Sequence, residues 1–366
     1  MRHKAFETYE HKNIEILKQH YCSEPIYRMH LMPSQATLCC SAWTSVYLPD
    51  WQIPSKNKQL LTLRDLWFSK EAEILRKSVI DDRDFKYCHN TMCPYIQTPE
   101  QKMLDNEQTR SWVEKWRNRE FFIPILSFDV DLSCQLRCPS CRTKVIYHKD
   151  ILKESPPIYN ITQETLKLFD EGNIQYLNMN SAGDPFISPA CIYLMDNITG
   201  IENFSEVHLH TNGMKFTESW WDSHPKMQKM VKHLQLSLDA GTEECYDKVR
   251  VGGNFKKVIE NCEFISTLKE IDTTINIVVQ KDNYKSLPEF LEYGKRWGFH
   301  INASKILHWD QAMTMEQWED KAVWKPKHPE HSEFIEVIEK LPPLRDYRIS
   351  FGPMVAYLSQ FRSDMK

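Results

Sequence analysis

The residues equipped for chemistry gather in two cysteine constellations. The first is the stretch CQLRCPSC, which holds Cys134, Cys138 and Cys141 within eight residues. Two cysteines at such spacing would suit a redox pair, and four would close a metal site. Three leave a cubane iron–sulfur cluster one thiolate short of its usual four. A small molecule with an amine and a carboxylate can chelate the open iron and receive an electron from it. The alternative is a zinc site with a distant fourth ligand.

The second constellation lies in the first hundred residues: YCSEP with Cys22, LCCSAW with Cys39 and Cys40, and YCHNTMCP with Cys88 and Cys93. Cys88 and Cys93 are close enough in sequence to share one metal, and Cys22 with Cys39 or Cys40 would complete four ligands. Such a closed site suits zinc or an iron–sulfur cluster, and spacing does not choose between them. Neighbouring side chains on an extended segment point apart, so one of Cys39 and Cys40 is the ligand and the other a bystander. Cys191, Cys245 and Cys262 fall on predicted helices without partners and read as buried small hydrophobes.

The elements that must position these groups follow a regular plan. From about residue 121, strand-like and helix-like segments alternate: FFIPILSFDV, TQETLKLFDEG, IQYLNMNSAG, PACIYLMDNI, VHLHTNG, ESWWDSHPKMQKMVKH, LQLSLDAG, TEECYDKVR with NFKKVIENCEFISTLKE, TTINIVVQ, LPEFLEYGKRWG and HINASKIL. Thr162 is placed to cap the first of these helices, and Pro189 to open the second. Six strand–helix alternations argue for parallel strands with helical crossovers, too few for a full eight-unit barrel. The expected fold is α/β, a partial (β/α)6 TIM-like barrel, with a doubly wound sheet as the alternative. Either way the chemistry belongs at the carboxyl ends of the strands, and the CQLRCPSC loop directly follows the first of them. His208 and His210 share one face of the third strand, as structural histidines or as lining of the barrel mouth. His328 and His331 read as solvated surface. The expected division is a cysteine-rich domain over 1–118, the barrel over 119–310 and a helical extension over 311–366.

The chain has 366 residues, 41% of them hydrophobic, and a net charge of -4. That is ample for a core and gives no overall basic field for nucleic acid. No apolar run reaches a bilayer span and the first residues form no signal peptide, so a cytoplasmic location is expected, without membrane or nucleic-acid partners. Eleven cysteines in such a chain read as metal ligands or catalytic thiols rather than disulfides.

CQLRCPSC resembles the signature of the radical S-adenosylmethionine (SAM) superfamily, whose partial barrel also matches the six alternations. The resemblance implies a [4Fe-4S] cluster on Cys134, Cys138 and Cys141. It also implies reductive cleavage of SAM to methionine and a 5′-deoxyadenosyl radical that abstracts a substrate hydrogen. SAGDP, from Ser181 to Pro185, looks like the family's glycine-rich motif that receives the methionine ammonium group, with Gly183 allowing close approach and Asp184 where many members have glutamate. Ser237 of SLDAG and Arg250 of YDKVR match positions that bind the methionine carboxylate. Asp239 suits a strand-end cap or a ribose contact, and Thr211 and Asn212 of HTNG shape a turn near the cosubstrate. Ser140 departs from the aromatic residue many members carry before the third cysteine, which moves the expected adenine contact toward Val278 to Gln280.

The N-terminal segments resemble a SPASM-type auxiliary-cluster domain, though here it precedes the barrel rather than following it. By that match Cys22, Cys39, Cys88 and Cys93 hold one auxiliary [4Fe-4S] cluster, with Cys40 in reserve. An external electron donor such as flavodoxin or ferredoxin is implied. SPASM-type relatives modify peptides or protein side chains, or act on sugars and other small molecules. A peptide or protein substrate is therefore expected, with a small-molecule substrate as the alternative. The first residues open directly into the cysteine region without an evident peptide-recognition domain. The reading from a different class is a non-catalytic zinc or iron–sulfur protein.

Overall fold

The computed structural model describes residues 6–19, 22–33, 35–40, 43–54, 59–90, 93–97, 107–179, 182–308, 312–341 and 348–350. Ser181 and the end of the expected 311–366 extension lie outside them. The chain divides into two compact units. One comprises Met1–Asp131, Lys149–Ala182 and Pro189–Glu206; the other comprises Leu132–His148, Gly183–Ser188 and Val207–Lys366.

In the first unit, β1 (Arg28–Met32) pairs antiparallel with β2 (Gln35–Thr37) and parallel with β3 (Ile123–Phe128), which pairs parallel with β4 (Ile174–Met179). The helix Pro156–Asp170 joins β3 to β4 and buries Ile158, Ile161, Thr165 and Phe169 on one face. It starts about two turns earlier than its sequence suggests, because Pro156 fits a first helical turn and Ser155 before it is extended. Thr162 is consequently no cap: it is buried mid-helix, and its hydroxyl donates back to the Ile158 carbonyl at 2.6 Å. Pro189 does open the helix Pro189–Asn197. The segment LRDLWFSKEAEILRKS, which reads as one helix, breaks in two. Thr62 caps Leu63–Trp67 in a capping box with Asp65, and Ser69 caps Lys70–Arg76 by accepting from the Ala72 N–H.

The second unit carries β5 (Glu206–Thr211), whose first residue marks the boundary, then β6 (Val231–Ser237), β7 (Asp272–Val279), β8 (His300–Lys305) and β9 (Ile349–Ser350). Each pairs parallel with the next. Helices Glu243–Val249 and Phe255–Ile265 cross between β6 and β7, capped by Thr242 and Asn254. Helix Leu287–Trp297 crosses between β7 and β8 and stops at Gly298, which takes the left-handed conformation (φ +72°) that ends helices without a Cβ penalty. Gly294 packs so tightly on β8 that a Cβ there would sit 2.4 Å from Ile301. β3 to β8 fall on the six strands read from the sequence, but β6 begins at Val231, three residues inside the stretch ending VKH that reads as helix.

The two faces of the second unit's strands differ in kind. Leu209, Leu234, Leu236, Ile275, Ile277, Val279, Ile301 and Ala303 are buried on one face. The alternate positions, His208, His210, His233, Gln235, Ser237, Thr274, Asn276, His300 and Asn302, are polar and half-buried or exposed. Parallel strands ordinarily read as continuous apolar runs because both faces are covered. Here only one face follows that rule.

Candidate cluster and cosubstrate site

The cysteine loop is shaped by backbone bonds before any cofactor is considered. The Cys134 N–H donates to the Ile146 carbonyl, the Arg137 N–H to that of Val251, and the N–H groups of Cys141 and Arg142 both reach the Cys138 carbonyl. Cys134 and Cys138 are buried together with Leu136, against Met214, while Cys141 is exposed. Each sulfur has one donor: the Leu136 N–H at 3.4 Å from Cys134, Arg250 Nη1 at 3.5 Å from Cys138, and Arg142 Nη2 at 3.6 Å from Cys141. Burial pushes the Cys134 thiol up to about 11, against the pull of the Leu136 N–H. Cys138 is also raised by burial, opposed by Arg250. Three free thiols on one turn with two guanidinium donors make a set that metal binding can deprotonate, and they fit a three-thiolate cluster.

Gly183 and Asp184 lock this loop. A Cβ at Gly183 would lie 1.9 Å from the Ser133 carbonyl oxygen, so only glycine allows the two backbones to meet. The Asp184 N–H donates to that same carbonyl at 2.8 Å. Its carboxylate is buried and accepts three bonds: from the Phe186 N–H at 3.0 Å, the Thr211 hydroxyl at 2.7 Å and the Asn212 N–H at 2.9 Å. Burial raises its pKa and these donors oppose the rise. Asp184 thus holds the turn after β5, and Asn212 carries the connection onward: its Oδ1 accepts from Gln135 Nε2 at 3.1 Å and from the Met214 N–H at 3.1 Å. Neither the Asp184–Asn212 tie nor the Gln135 contact is legible from spacing.

Arg250 and Asp239 form a second lock. Arg250 Nη2 lies 2.8 Å from Asp239 Oδ2, with the two side chains 14% and 5% exposed. Burial disfavours the guanidinium charge, but Asp239 and the Cys138 sulfur outweigh it and the net shift is upward. Asp239 has φ +59° and accepts the Val278 N–H on Oδ1 at 2.8 Å, so it fastens β6 to β7. That is a strand-end tie, and an ion pair that sequence alone does not reveal. Among the described residues, Arg250 Nε and the Tyr246 hydroxyl are buried without a hydrogen-bond partner. Ser237, at the end of β6, meets His210 Nε2 at 2.8 Å on the polar face. Gln280, directly after β7, has its side chain buried with neither amide atom hydrogen-bonded among the described residues, in the region expected to face adenine.

In the first unit Cys22, Cys39, Cys88 and Cys93 are all buried, and each pair of them interacts electrostatically. Burial first, then the neighbouring sulfurs or Glu24, raises the Cys22, Cys39 and Cys88 thiols. Cys93 is raised by burial against the N–H groups of Ile96 and Tyr95, which donate to its sulfur. The Glu24 N–H does the same for Cys22. Cys40 is half-buried, and it too lies near Cys93. This four-thiol nest suits either zinc or a cubane. Glu24 is 3% exposed and takes the hydroxyls of Tyr27 and Tyr95 and Arg28 Nε beside it.

Cys191 and Cys262 are buried, as their helices suggested, but Cys245 is half-exposed at the start of its helix, where the first turn faces outward. His328 is buried rather than solvated. Its Nε2 meets the Asp320 carbonyl at 2.7 Å, and its Nδ1 accepts the Glu330 N–H. His331 is half-buried and bonds the Val323 carbonyl.

The second unit thus sets a loop of three thiols beside the ends of its parallel strands. Residues 132–294 match the family model described as the Radical SAM superfamily. Among curated proteins it is 26% identical over 153 residues to a GTP 3′,8-cyclase of Alkaliphilus metalliredigens, covering 40% of this chain and 44% of that protein. It is 23% identical over 189 residues to the mycofactocin maturase MftC of Mycobacterium ulcerans, covering 50% and 47%. The chain thus spans about half the length of these relatives. A crystal structure of Streptococcus suis SuiB aligns with a TM-score of 0.42 at 12% identity, covering 85% of this chain and 71% of that one. Among the described residues no helix is long and apolar enough to cross a membrane.

Proposed function

We propose that the protein is a radical SAM enzyme that abstracts a hydrogen from a peptide or protein substrate. The observation that carries this reading is the triad of free thiols at Cys134, Cys138 and Cys141, each with its own hydrogen-bond donor. Cys134, Cys138 and Cys141 would hold a [4Fe-4S] cluster, which would supply an electron for the reductive cleavage of SAM to methionine and a 5′-deoxyadenosyl radical. Arg250 keeps positive charge against Cys138 while Asp239 holds its fork. Gly183 lets the backbone come close, and Asp184 keeps the turn after β5 in place. Ser237 and the unpaired Nε of Arg250 are the groups offered to the methionine carboxylate. Gln280 offers an amide edge to adenine. In the first unit, Cys22, Cys39, Cys88 and Cys93 would hold an auxiliary [4Fe-4S] cluster. The electron comes from a small reductase or electron carrier of the flavodoxin or ferredoxin kind.

A second reading, a sugar or other small polar molecule as substrate, is favoured by one observation. The half-buried and exposed face of β5 to β8 carries histidine, glutamine, serine, threonine and asparagine. A site that hydrogen-bonds its substrate must offer such groups.

The test is anaerobic reconstitution, reduction, addition of SAM and quantification of 5′-deoxyadenosine by mass spectrometry, with Cys134→Ala, Cys138→Ala and Cys141→Ala in parallel. Nucleoside formed only by the intact triad supports the reading. Zinc at both cysteine sites after metal-replete expression, with no cleavage of SAM, would replace it with a structural metal protein.

A further inference from the structure

The loop that carries the three thiols also carries an unbalanced positive charge and the most exposed large hydrophobic side chain among the described residues. From Leu132 to His148 the chain holds Arg137, Arg142 and Lys144 and no carboxylate, in a protein of net charge -4. The two ends of this stretch run side by side. The Cys134 N–H donates to the Ile146 carbonyl at 2.8 Å, and the His148 N–H to the Ser133 hydroxyl at 2.8 Å. Val145 and Tyr147 flank Ile146, the residue bridged to Cys134, and so share one face; they are 53% and 59% exposed. Arg142 spans the loop, from the Leu132 carbonyl at 2.7 Å to the Cys141 sulfur at 3.6 Å. Arg137 and Lys144 are exposed, and neither side chain has an ion-pair partner among the described residues.

We propose that this loop is the docking face for an acidic electron-carrier protein, which delivers its electron at Cys141 and not by way of the first unit's four thiols. The proposal rests on the reading of the triad as ligands of a reducible cluster. Electron transfer between proteins falls steeply with distance, so a carrier must bring its redox centre close to the outermost sulfur. Cys141 is that sulfur, being exposed where Cys134 and Cys138 are buried. Cys22, Cys39, Cys88 and Cys93 are all buried and offer no such edge. Redox complexes that must part after each transfer bury little area, and charge on their rims steers the encounter. Arg137 and Lys144 supply that charge in unpaired form. Tyr147, with Val145 beside it, supplies a stiff apolar anchor of the kind that dominates small interfaces. The partner that fits is a flavin or iron–sulfur protein with carboxylates around its redox centre. In the step itself the carrier loses one electron and the cluster gains one. No covalent bond is made or broken, and no proton is asked of this face.

The experiment uses the full chain with its iron–sulfur sites reconstituted. It is mixed without oxygen with reduced flavodoxin, with reduced plant-type ferredoxin, and separately with dithionite, which needs no docking face. Electron uptake is followed by stopped-flow absorbance, and the reduced cluster is identified by its EPR spectrum. The Arg137→Gln/Lys144→Gln double variant should take electrons from the carrier about 10-fold more slowly at low salt, and the difference should shrink as salt is raised. Tyr147→Ala should slow uptake from the carrier at both salt concentrations. Both variants should keep wild-type iron content and the wild-type rate with dithionite. The proposal is overturned if neither carrier reduces the wild type, if the variants accept carrier electrons at the wild-type rate, or if the loss is as large with dithionite. A concentration-dependent dimer in sedimentation that Tyr147→Ala abolishes would give this face to a second copy of the chain and overturn it too. The underlying reading fails in a different way: no iron on Cys134, Cys138 and Cys141 that dithionite can reduce, a result that removes both.

Discussion

Replacing Arg250 with methionine should destabilise the second unit far more than the loss of a surface arginine would. The substitution keeps most of the stem and removes the charge from beside Asp239, whose carboxylate is 5% exposed. Breaking a buried ion pair by removing one partner costs about 3–5 kcal/mol, because the survivor is left buried and uncompensated. Asp239 retains the Val278 N–H at 2.8 Å, which places the expected loss near the lower end, about 3 kcal/mol. For a unit of this size that lowers Tm by roughly 6–12 °C. Asp239→Asn should cost a comparable amount by orphaning the guanidinium. The double variant should then recover about 1–3 kcal/mol relative to the sum of the singles, since only one interaction is lost twice over. Thermal unfolding of the four proteins, followed by circular dichroism, gives the cycle. Arg250→Lys keeps the charge but lacks the fork that spans Asp239 and Cys138, so it should fall between wild type and Arg250→Met. Strictly additive singles would refute the account of Arg250 as half of a coupled pair.

Other consequences follow from the same geometry. Gly183→Ala must push the Ser133 carbonyl aside by more than an ångström and break the Asp184 N–H bond to it. The expected cost is about 1–3 kcal/mol, with a lower iron content after reconstitution; normal iron and Tm would contradict the close approach. In metal-free protein, Cys134 titrates near 11 against an ordinary value of 9.0. A raised folded pKa means the native state holds the proton longer, so its contribution is complete below pH 9 and is lost as pH rises toward 11. Urea midpoints of metal-free wild type should therefore fall over that window more than those of Cys134→Ala. Cys141 is exposed while Cys134 and Cys138 are buried, so limited alkylation of the metal-free chain, read by peptide mapping, should label Cys141 well before the other two.

The strands were legible because period-two alternation and short apolar runs are local properties. β3 to β8 fall where the pattern puts them, apart from the first three residues of β6, which follow a helical stretch without a break in apolar content. Helix starts were less so: Pro156 and Ser69 are decided by which residue best ends an extended stretch, and the apolar period continues smoothly through both. The cysteines were legible by type and spacing, since a loop that wraps a metal must be short. Their supports were not. Asp184 reaches residues 27 and 28 positions away, and Arg250 reaches Cys138 across 112. Such ties depend on which strands neighbour each other, and no single segment encodes that. β1 and β2 are not legible because RMHLM and QAT are too short to set a period-two pattern apart from an irregular segment.

The two unlike faces of β5 to β8 separate what the fold needs from what the chemistry can use. Cohesion rests on Leu209, Leu234, Leu236, Ile275, Ile277 and Ile301, which lie at most 1% exposed. A large-to-small change at such a position costs several kcal/mol, while a change at a half-exposed polar position ordinarily costs little. His208, Gln235, Thr274 and Asn302 can therefore be exchanged over evolutionary time without unfolding the sheet that carries them. A lineage with this architecture can acquire a new substrate by rewriting one side of its strands while the other side keeps the molecule folded.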